Sequence, residues 1–533
     1  MRNRARPRPT RAQVLQPVTR LCPECQSPLW ADYHNFRTVT TLTGVLRLTL
    51  HIRRCPNPHC GRYHCPYRPE AEPHFALPHH EFGLDVIARV GRLRHAEHRS
   101  VPEIQQELQR RGVVIAERTV TNLLERYDEL RALASADPKR LRRLLQKQKR
   151  VILAIDGLQP DVGHEVLWVL RDCISGEVLL AKSLLSATTA DIAVLLADVR
   201  DALPVPLTGV ISDGQQTIRQ AVAQELPGVP HQLCHFHYLR EAARPIYEAD
   251  RHAKKELKKR VRGVRRIERA VESKEDDEEA EIVRGYCAAV RSALTDDGRP
   301  PLVASGLRLQ ERLVAIAASL DRVAAKAGAL PGGLPKLRQL LRRGLEQTAA
   351  LWPPVRAAYR WVKQVARLLK NRAKRPTTEI RRRLSKILSA MRQAARSQEE
   401  VRGPLQHFVK VTKSYRPGLF HCYQGKDLPR TNNDLEHLFG SHRYHERRAS
   451  GRKTASPGLV VMGSVRVVAG LATRLRPEEG LQLAAGYVGR WQELRAQMEK
   501  RREGRRQQRR FRRNPVTYLQ KLEEMAFKLS LLS

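Results

Sequence analysis

Arg150-Val-Ile-Leu-Ala-Ile-Asp156 is the stretch on which the reading of this chain turns. Its apolar centre has the length of a strand, and Asp156-Gly157 is a dipeptide that favours a turn, so a carboxylate is expected where a strand reaches a sheet edge. Leu207-Thr-Gly-Val-Ile-Ser212 repeats the arrangement, closed by Asp213-Gly214 ahead of a helical pattern that runs to Leu226. Between the two acids lie further strand-like runs at 165–171 and 177–185, then an amphipathic helix from about Ala190 to Leu203. A short strand at 229–234 comes after the second helix. The resulting order is strand, strand, strand, helix, strand, helix, strand.

A third acid has a different setting. Glu436 lies in Thr431-Asn-Asn-Asp-Leu-Glu-His-Leu-Phe-Gly440, where Leu435, Leu438 and Phe439 have helical spacing and Asn432 falls one turn before Glu436. Three carboxylates converging from strands and a helix can hold two divalent cations roughly 4 Å apart, the arrangement that serves in-line phosphoryl displacement, and such hard cations prefer oxygen ligands. Taken singly, Asp-Gly marks a turn and a helical Glu is a solvated charge. Their order and surroundings favour the metal reading. Asp434 is the rival third acid, two positions earlier and so on another helix face.

The strand and helix series resembles a ribonuclease H-like core, whose first and fourth strands carry the first two acids. With its three acids, the chain resembles the DDE transposases of bacterial insertion sequences, in the large group that includes the eukaryotic mutator-like elements. That group often carries a Cys or Asp two residues before a His, just after the strand that follows the second acid, and Cys234-His-Phe-His237 stands in that place. It also often shows paired Asn ahead of the final Glu, matched by Asn432, Asn433 and Glu436. The resemblance covers roughly residues 150–475. It implies a transposase whose triad Asp156, Asp213 and Glu436 holds Mg2+ (or Mn2+), cuts DNA at the ends of a mobile element and joins the released 3′-hydroxyl to target DNA. Cys234 and His237 are expected to support the active site without zinc, since a complete zinc site needs four ligands and no second pair lies nearby in sequence. Their plainer reading is a small buried cysteine and a core histidine.

Composition agrees with a polyanionic partner. The 533 residues carry a formal net charge of +42 and a pI near 10.7, enough to attract nucleic acid and to make binding strongly salt-dependent. With 41% hydrophobic residues the chain is expected to form several folded cores instead of a basic tail. The basic start, Met1-Arg-Asn-Arg-Ala-Arg-Pro-Arg8, has no apolar segment after it, so an intracellular, cytoplasmic and nucleoid-associated bacterial protein is expected. Leu459-Val-Val-Met-Gly-Ser-Val-Arg-Val-Val-Ala469 is too short and too charged to span a membrane and reads as core.

Nine cysteines are too few for a disulfide framework in a chain of this length, and several have metal-ligand spacing. Cys22-Pro-Glu-Cys25 and Cys55-Pro-Asn-Pro-His-Cys60 flank a strand-rich stretch, as in a zinc ribbon, with His59, His64 and Cys65 competing for the fourth place. Next, Ser100-Val-Pro-Glu103 is a capping box, Gly112 a turn, and a second helix is expected from about Ala116 to Arg126. With a preceding helix from about Gly83 to His98, this is a helix-turn-helix pattern. It would present Arg118, Thr119, Thr121 and Asn122 to DNA while Val120, Leu123 and Leu124 pack inward. An ordinary three-helix bundle explains the same spacing.

The remaining segments are helical and basic. Trp352, Tyr359 and Trp361 are candidate base stackers, although aromatics at helical spacing are more often core. Arg443, Arg447, Arg448, Arg452 and Lys453, after Glu436, are candidate phosphate donors. The run Lys500–Arg513 reads as a nonspecific electrostatic arm, disordered until DNA arrives. The expected layout is a multidomain α/β protein: a basic disordered tail (1–19), a zinc-ribbon-like domain (20–78), a helix-turn-helix domain (79–130) and a basic helical linker (131–149). A ribonuclease H-like core (150–240 and 426–475) follows, interrupted by an all-α insertion (241–425), and a basic helical tail (476–533) ends it. Its partner is double-stranded DNA, and action on two element ends requires at least a dimer. The competing readings are a transposase-derived DNA-binding regulator and a ribonuclease H-like nuclease that does not integrate.

Overall fold

A computed structural model describes residues 8–159, 165–272, 277–296, 302–425, 427–451, 457–476 and 487–530. The fold is mixed α/β and divides into two compact units, residues 1–207 with 434–533, and residues 208–433.

The first unit opens with β1 (Arg11–Leu15), β2 (Trp30–Thr41) and β3 (Gly44–Arg54). β2 and β3 form an antiparallel hairpin, and β1 pairs in parallel with the other edge of β3, from Arg11 opposite Leu46 to Leu15 opposite Leu50. Alternate residues of β3, Leu46, Leu48, Leu50 and Ile52, are buried with Val39 and Leu15, the period-two pattern of a half-buried strand. Residues 11–15 are therefore a strand and not part of a disordered tail, because β3 offers them a free ladder edge.

Three helices follow, α1 (Leu84–His95), α2 (Val101–Arg110) and α3 (Glu117–Ser135). Ser100 and Glu103 form the expected capping box, and Gly112 after α2 has φ +78°. At Gly91 a Cβ would stand 2.1 Å from the Tyr127 ring, so only glycine lets α1 and α3 approach this closely. α3 runs nine residues past its expected end at Arg126, and Tyr127 to Arg131 are all buried. α4 (Pro138–Gln148) is capped by Asp137, and its Arg140 makes a bidentate pair with Glu177 at 2.9 and 3.0 Å. That arginine of the expected basic linker is thus held by the protein itself.

β4 (Val151–Leu158), β5 (Val166–Asp172) and β6 (Val178–Leu184) form antiparallel pairs, and α5 (Thr189–Ala202) follows. Asp156-Gly157 does not end its strand as expected: Asp156 is paired with Val169 and Gly157 with Trp168, and β4 continues to Leu158. The bare Gly157 makes room for its neighbours on β5, since a Cβ there would stand 3.0 Å from Val166 and 3.5 Å from the Trp168 ring.

The second unit begins with β7 (Leu207–Ser212), α6 (Gln216–Glu225), β8 (His231–Leu233) and α7 (His235–Ala242), β7 and β8 being parallel. Among the described residues eight α-helices complete it: α8 (Arg244–Arg260), α9 (Val264–Arg269), α10 (Glu278–Thr295), α11 (Ser305–Ala327), α12 (Leu334–Gln347), α13 (Trp352–Lys370), α14 (Thr377–Ser397) and α15 (Glu399–Tyr415). They share one core that includes Leu257, Leu313, Leu341, Val362, Leu384 and Phe408. Trp352 and Tyr359 are each only 2% exposed and Trp361 packs against the same core, so none is presented to a displaced base.

The chain then returns to the first unit with α16 (Asn433–Ser450), α17 (Pro457–Leu475), α18 (Tyr487–Arg513) and α19 (Pro515–Ser530). The basic run at 500–513 is helical, continuous with a segment whose Trp491 and Met498 are buried, and not a free arm. Trp491 Nε1–H donates to Glu129 at 2.8 Å, Tyr127 and Thr473 hydroxyls meet at 2.7 Å, and Arg131 donates to the Ala472 and Arg476 carbonyls at 2.9 and 2.7 Å. At the centre, Asp128 accepts from His95 Nε2 at 2.7 Å and from Arg466 Nε at 2.9 Å. Among the described residues, no helix is long and apolar enough to cross a membrane.

Burial by itself would raise the Asp128 carboxyl, but Arg466 and His95 outweigh it and hold the group below the ordinary carboxylate range. A depressed carboxylate contributes stability that is present above its unfolded pKa and lost as pH falls through the folded value. Asp128→Asn should therefore destabilise the first unit by roughly 3–5 kcal/mol at neutral pH, leaving Arg466 without its carboxylate. Denaturant melts of both proteins across pH 2–7 should show the difference shrinking as the medium becomes acid.

Candidate functional site

The four expected zinc ligands come together. Cys22 and Cys25 precede β2, Cys55 follows β3 directly, Cys60 lies five residues on, and the four sulfurs lie within 4.8 Å of one another. Cys22 and Cys60 Sγ are 3.8 Å apart and Cys25 and Cys55 Sγ 3.5 Å, close to the roughly 3.8 Å between sulfurs on a tetrahedral zinc with bonds of about 2.3 Å. Three of the four are buried, whereas His59, His64 and Cys65 are exposed, so the open question of the fourth ligand resolves to Cys60. The donor set and its spacing fit a structural zinc.

Each of the three acids has its own element. Asp156 is half-buried inside the β4 ladder, and its Oδ1 accepts from the Gly157 N–H at 2.8 Å. Glu436 is half-buried in the first turn of α16, with Asp434 exposed two residues before it. Asp213 directly follows β7 and is half-buried, its Oδ1 accepting from Gln215 N–H at 2.9 Å. All three are oxygen donors of the kind a hard divalent cation takes.

Around Asp213 the second unit carries features that the sequence did not disclose. A cleft of about 400 Å3 opens beside it, lined by Gly214, Gln216, Arg219, Lys410, Ser414 and Tyr415 among others. Tyr415 donates its hydroxyl to the Asp213 carbonyl at 3.2 Å. Arg219 stacks over the Tyr415 ring at 4.3 Å and donates to the Ser414 carbonyl at 2.9 Å. Gly214 has φ +89°, and a Cβ on it would meet Tyr415 at 2.7 Å, so this turn admits only glycine. Of these, Lys410, Ser414 and Tyr415 are 190 or more residues from Asp213 in sequence, beyond any local pattern.

Cys234 is fully buried and caps α7. Its N–H donates to the Ser212 carbonyl at 2.8 Å, and its sulfur accepts from the Asn432 N–H at 3.3 Å. Asn432 is itself buried and Asn433 half-buried. Cys234 Sγ and a His237 ring nitrogen lie within 4.8 Å. The Cys-x2-His pair thus stands directly behind the strand that delivers Asp213. Beside it, burial pushes His231 and His235 down to about 4, so both rings are neutral. His231 Nε2 is 2.8 Å from Ser212 Oγ, and His235 donates Nε2–H to the Leu419 carbonyl at 2.8 Å.

On α3, Arg118, Thr121 and Asn122 are exposed and Thr119 half-buried, while Val120, Leu123 and Leu124 are buried. On α16, Arg443, Arg447 and Arg448 are exposed; Arg452 and Lys453 lie outside the described residues. The same helix carries buried His445 and Glu446, the latter 3.7 Å from Arg94, polar core groups that composition did not mark.

Purified protein should contain about one zinc per chain by elemental analysis. Cys55→Ser should lower zinc affinity by more than the roughly 10–100-fold that loss of an outer-shell partner costs, and protease cleavage after chelation should fall within residues 20–70. Metal-free protein with unchanged cleavage would reject the site. No protein-family model matches the chain, and no curated protein sequence is similar to it.

Proposed function

We propose that this chain is a DDE-type transposase that cuts DNA at the ends of a mobile element and joins them to target DNA. The observation that carries the reading is Asp213, a half-buried carboxylate at the end of a parallel strand beside a cleft with Arg219 and Lys410 in its lining. A carboxylate next to cations is what a phosphodiester approaching a metal site requires. The succession β4-β5-β6-α5-β7-α6-β8 supports a ribonuclease H-like core. The reading requires Asp156 and Glu436 of the first unit to join Asp213 of the second as ligands of Mg2+ or Mn2+. A bound pair of such ions would supply Lewis-acid chemistry, lowering the pKa of the attacking water and neutralising charge on the phosphate.

The protein's own part is positioning and charge stabilisation. Tyr415 and Gly214 fix the backbone at Asp213, and Cys234 ties β7 to the Asn432 segment. In this reading Arg219 and Lys410 hold a strand phosphate, Arg443, Arg447 and Arg448 hold others, and α3 reads the element end through Arg118, Thr119, Thr121 and Asn122. The zinc ribbon stabilises the amino-terminal module. The exposed face of α3 would also serve a DNA-binding regulator without catalysis, which the assays below distinguish.

Alanine at any one of Asp156, Asp213 or Glu436 should lower magnesium-dependent cleavage and joining by about a thousandfold while leaving duplex affinity within about twofold. Affinity cleavage by Fe2+ and ascorbate should cut the wild-type backbone near all three acids and weaken at each variant, a measure of metal binding independent of turnover. Specific binding without cleavage would make the protein a regulator; cleavage without joined products would make it a nuclease.

The double variant Arg118→Ala, Asn122→Ala should lose the footprint on element ends, with discrimination falling by about 1–3 kcal/mol per base contact. An unchanged footprint would assign recognition to another surface.

A further inference from the structure

α18 does more than close the first unit. Arg502, Arg505, Arg506 and Arg509 recur at helical spacing and therefore share one face. That face borders a cavity of about 530 Å3 within the first unit, whose lining includes six arginines and two glutamates. Arg94 and Arg466 are the two at its buried end, 5% and 6% exposed. Leu124 and Val461 add apolar wall.

The acids present answer only some of this charge. Glu125 is taken by Arg502 at 2.8 Å and Glu446 by Arg94 at 3.7 Å. Arg466 belongs to Asp128, and Arg506 leans outward to Glu503 at 3.0 Å. Arg505 has Arg501, Arg509 and Arg512 as neighbours besides Glu165, and burial together with the like charges outweighs that acid and depresses its pKa. Counted with Arg501 and Arg512, eight guanidinium groups stand against Asp128, Glu125, Glu165, Glu446, Glu499 and Glu503, and an anion at the cavity would relieve the surplus of positive charge. Thr121 also lines the cavity, and it lies on the exposed face of α3 with Arg118 and Asn122. The mouth of the cavity is therefore beside the surface assigned to DNA.

We propose that this cavity is a phosphate site which takes a backbone phosphate of the duplex read by α3, so that α18 grips the strand flanking the groove. Planar guanidinium forks suit phosphate oxygens, and phosphate contacts of this kind set the register of a reading helix without reading sequence themselves. The proposal rests on the DNA-binding reading and adds a second anchoring element to it.

The test compares two variants of the full chain with equal loss of charge. One carries Arg505→Gln, Arg506→Gln and Arg509→Gln on the cavity face; the other carries Arg510→Gln, Arg512→Gln and Arg513→Gln. Duplex affinity is measured between 50 and 200 mM salt. Loss of one phosphate contact should weaken binding about tenfold in the cavity variant and lower the salt slope by about one, with the control within about threefold of wild type. Equal losses in the two variants would overturn the proposal while leaving DNA binding intact. Arg509→Glu, at an exposed position, repeats the comparison where the triple variant fails to fold. If wild type binds no duplex, the DNA reading itself fails, and a thermal-shift titration with inorganic tripolyphosphate decides the cavity alone. Stabilisation lost in Arg509→Glu keeps it as an anion site, and no stabilisation removes it.

Discussion

A single carboxylate holds the first unit together. Asp128 is fully buried, and it survives there as an anion because His95 from α1 and Arg466 from α17 both donate to it. An uncompensated charge in that position would be prohibitively costly, so the three helices must meet in one geometry or not at all. The neighbouring residues of α3 multiply the constraint. Tyr127 bonds Thr473, Glu129 accepts from Trp491, and Arg131 satisfies carbonyls at the end of α17. Apolar surface supplies bulk stability here, whereas these polar pairs fix which helix faces which.

α3 accordingly has two characters along its length. Its first two turns keep Arg118, Thr121 and Asn122 in solvent, and the next turns are enclosed on all sides by α1, α17 and α18. A helix held this firmly can offer its free end to a partner without losing order on binding, which keeps the entropic penalty of recognition low. The same logic operates on a smaller scale at Asp213, where Gly214 and Tyr415 leave the turn no alternative conformation.

The parts of this architecture that are local were legible in the sequence, and the parts that depend on distant partners were not. The seven elements from β4 to β8 fall within a few residues of the expected ones, because alternation and helical periodicity are short-range signals. The capping box at Ser100 and the cysteine pairs were readable for the same reason, since spacing alone carries them. The Asp156-Gly157 turn was misread: the dipeptide preference yielded to a ladder in which Gly157 accommodates Trp168 of β5. The true end of α3 and the docking of α18 escaped because they depend on Arg466, Thr473 and Trp491, more than 330 residues away in the chain from the α3 residues they bind. The cleft at Asp213 was hidden likewise, since Lys410 and Tyr415 look ordinary until the fold brings them to it.

The first unit is assembled from both ends of the chain, with residues 208–433 made in between. On the ribosome, α3 therefore emerges hundreds of residues before Arg466 and Trp491 are available, and during that interval Asp128 lacks its arginine and Glu129 its indole donor. The intervening unit, contiguous in sequence and built on its own core, can condense while the first still waits. A nascent chain halted before α17 would thus present a finished helical module flanked by an unfinished one. Such a product would carry the exposed face of α3 but not its anchorage, leaving it a client for chaperones and proteases.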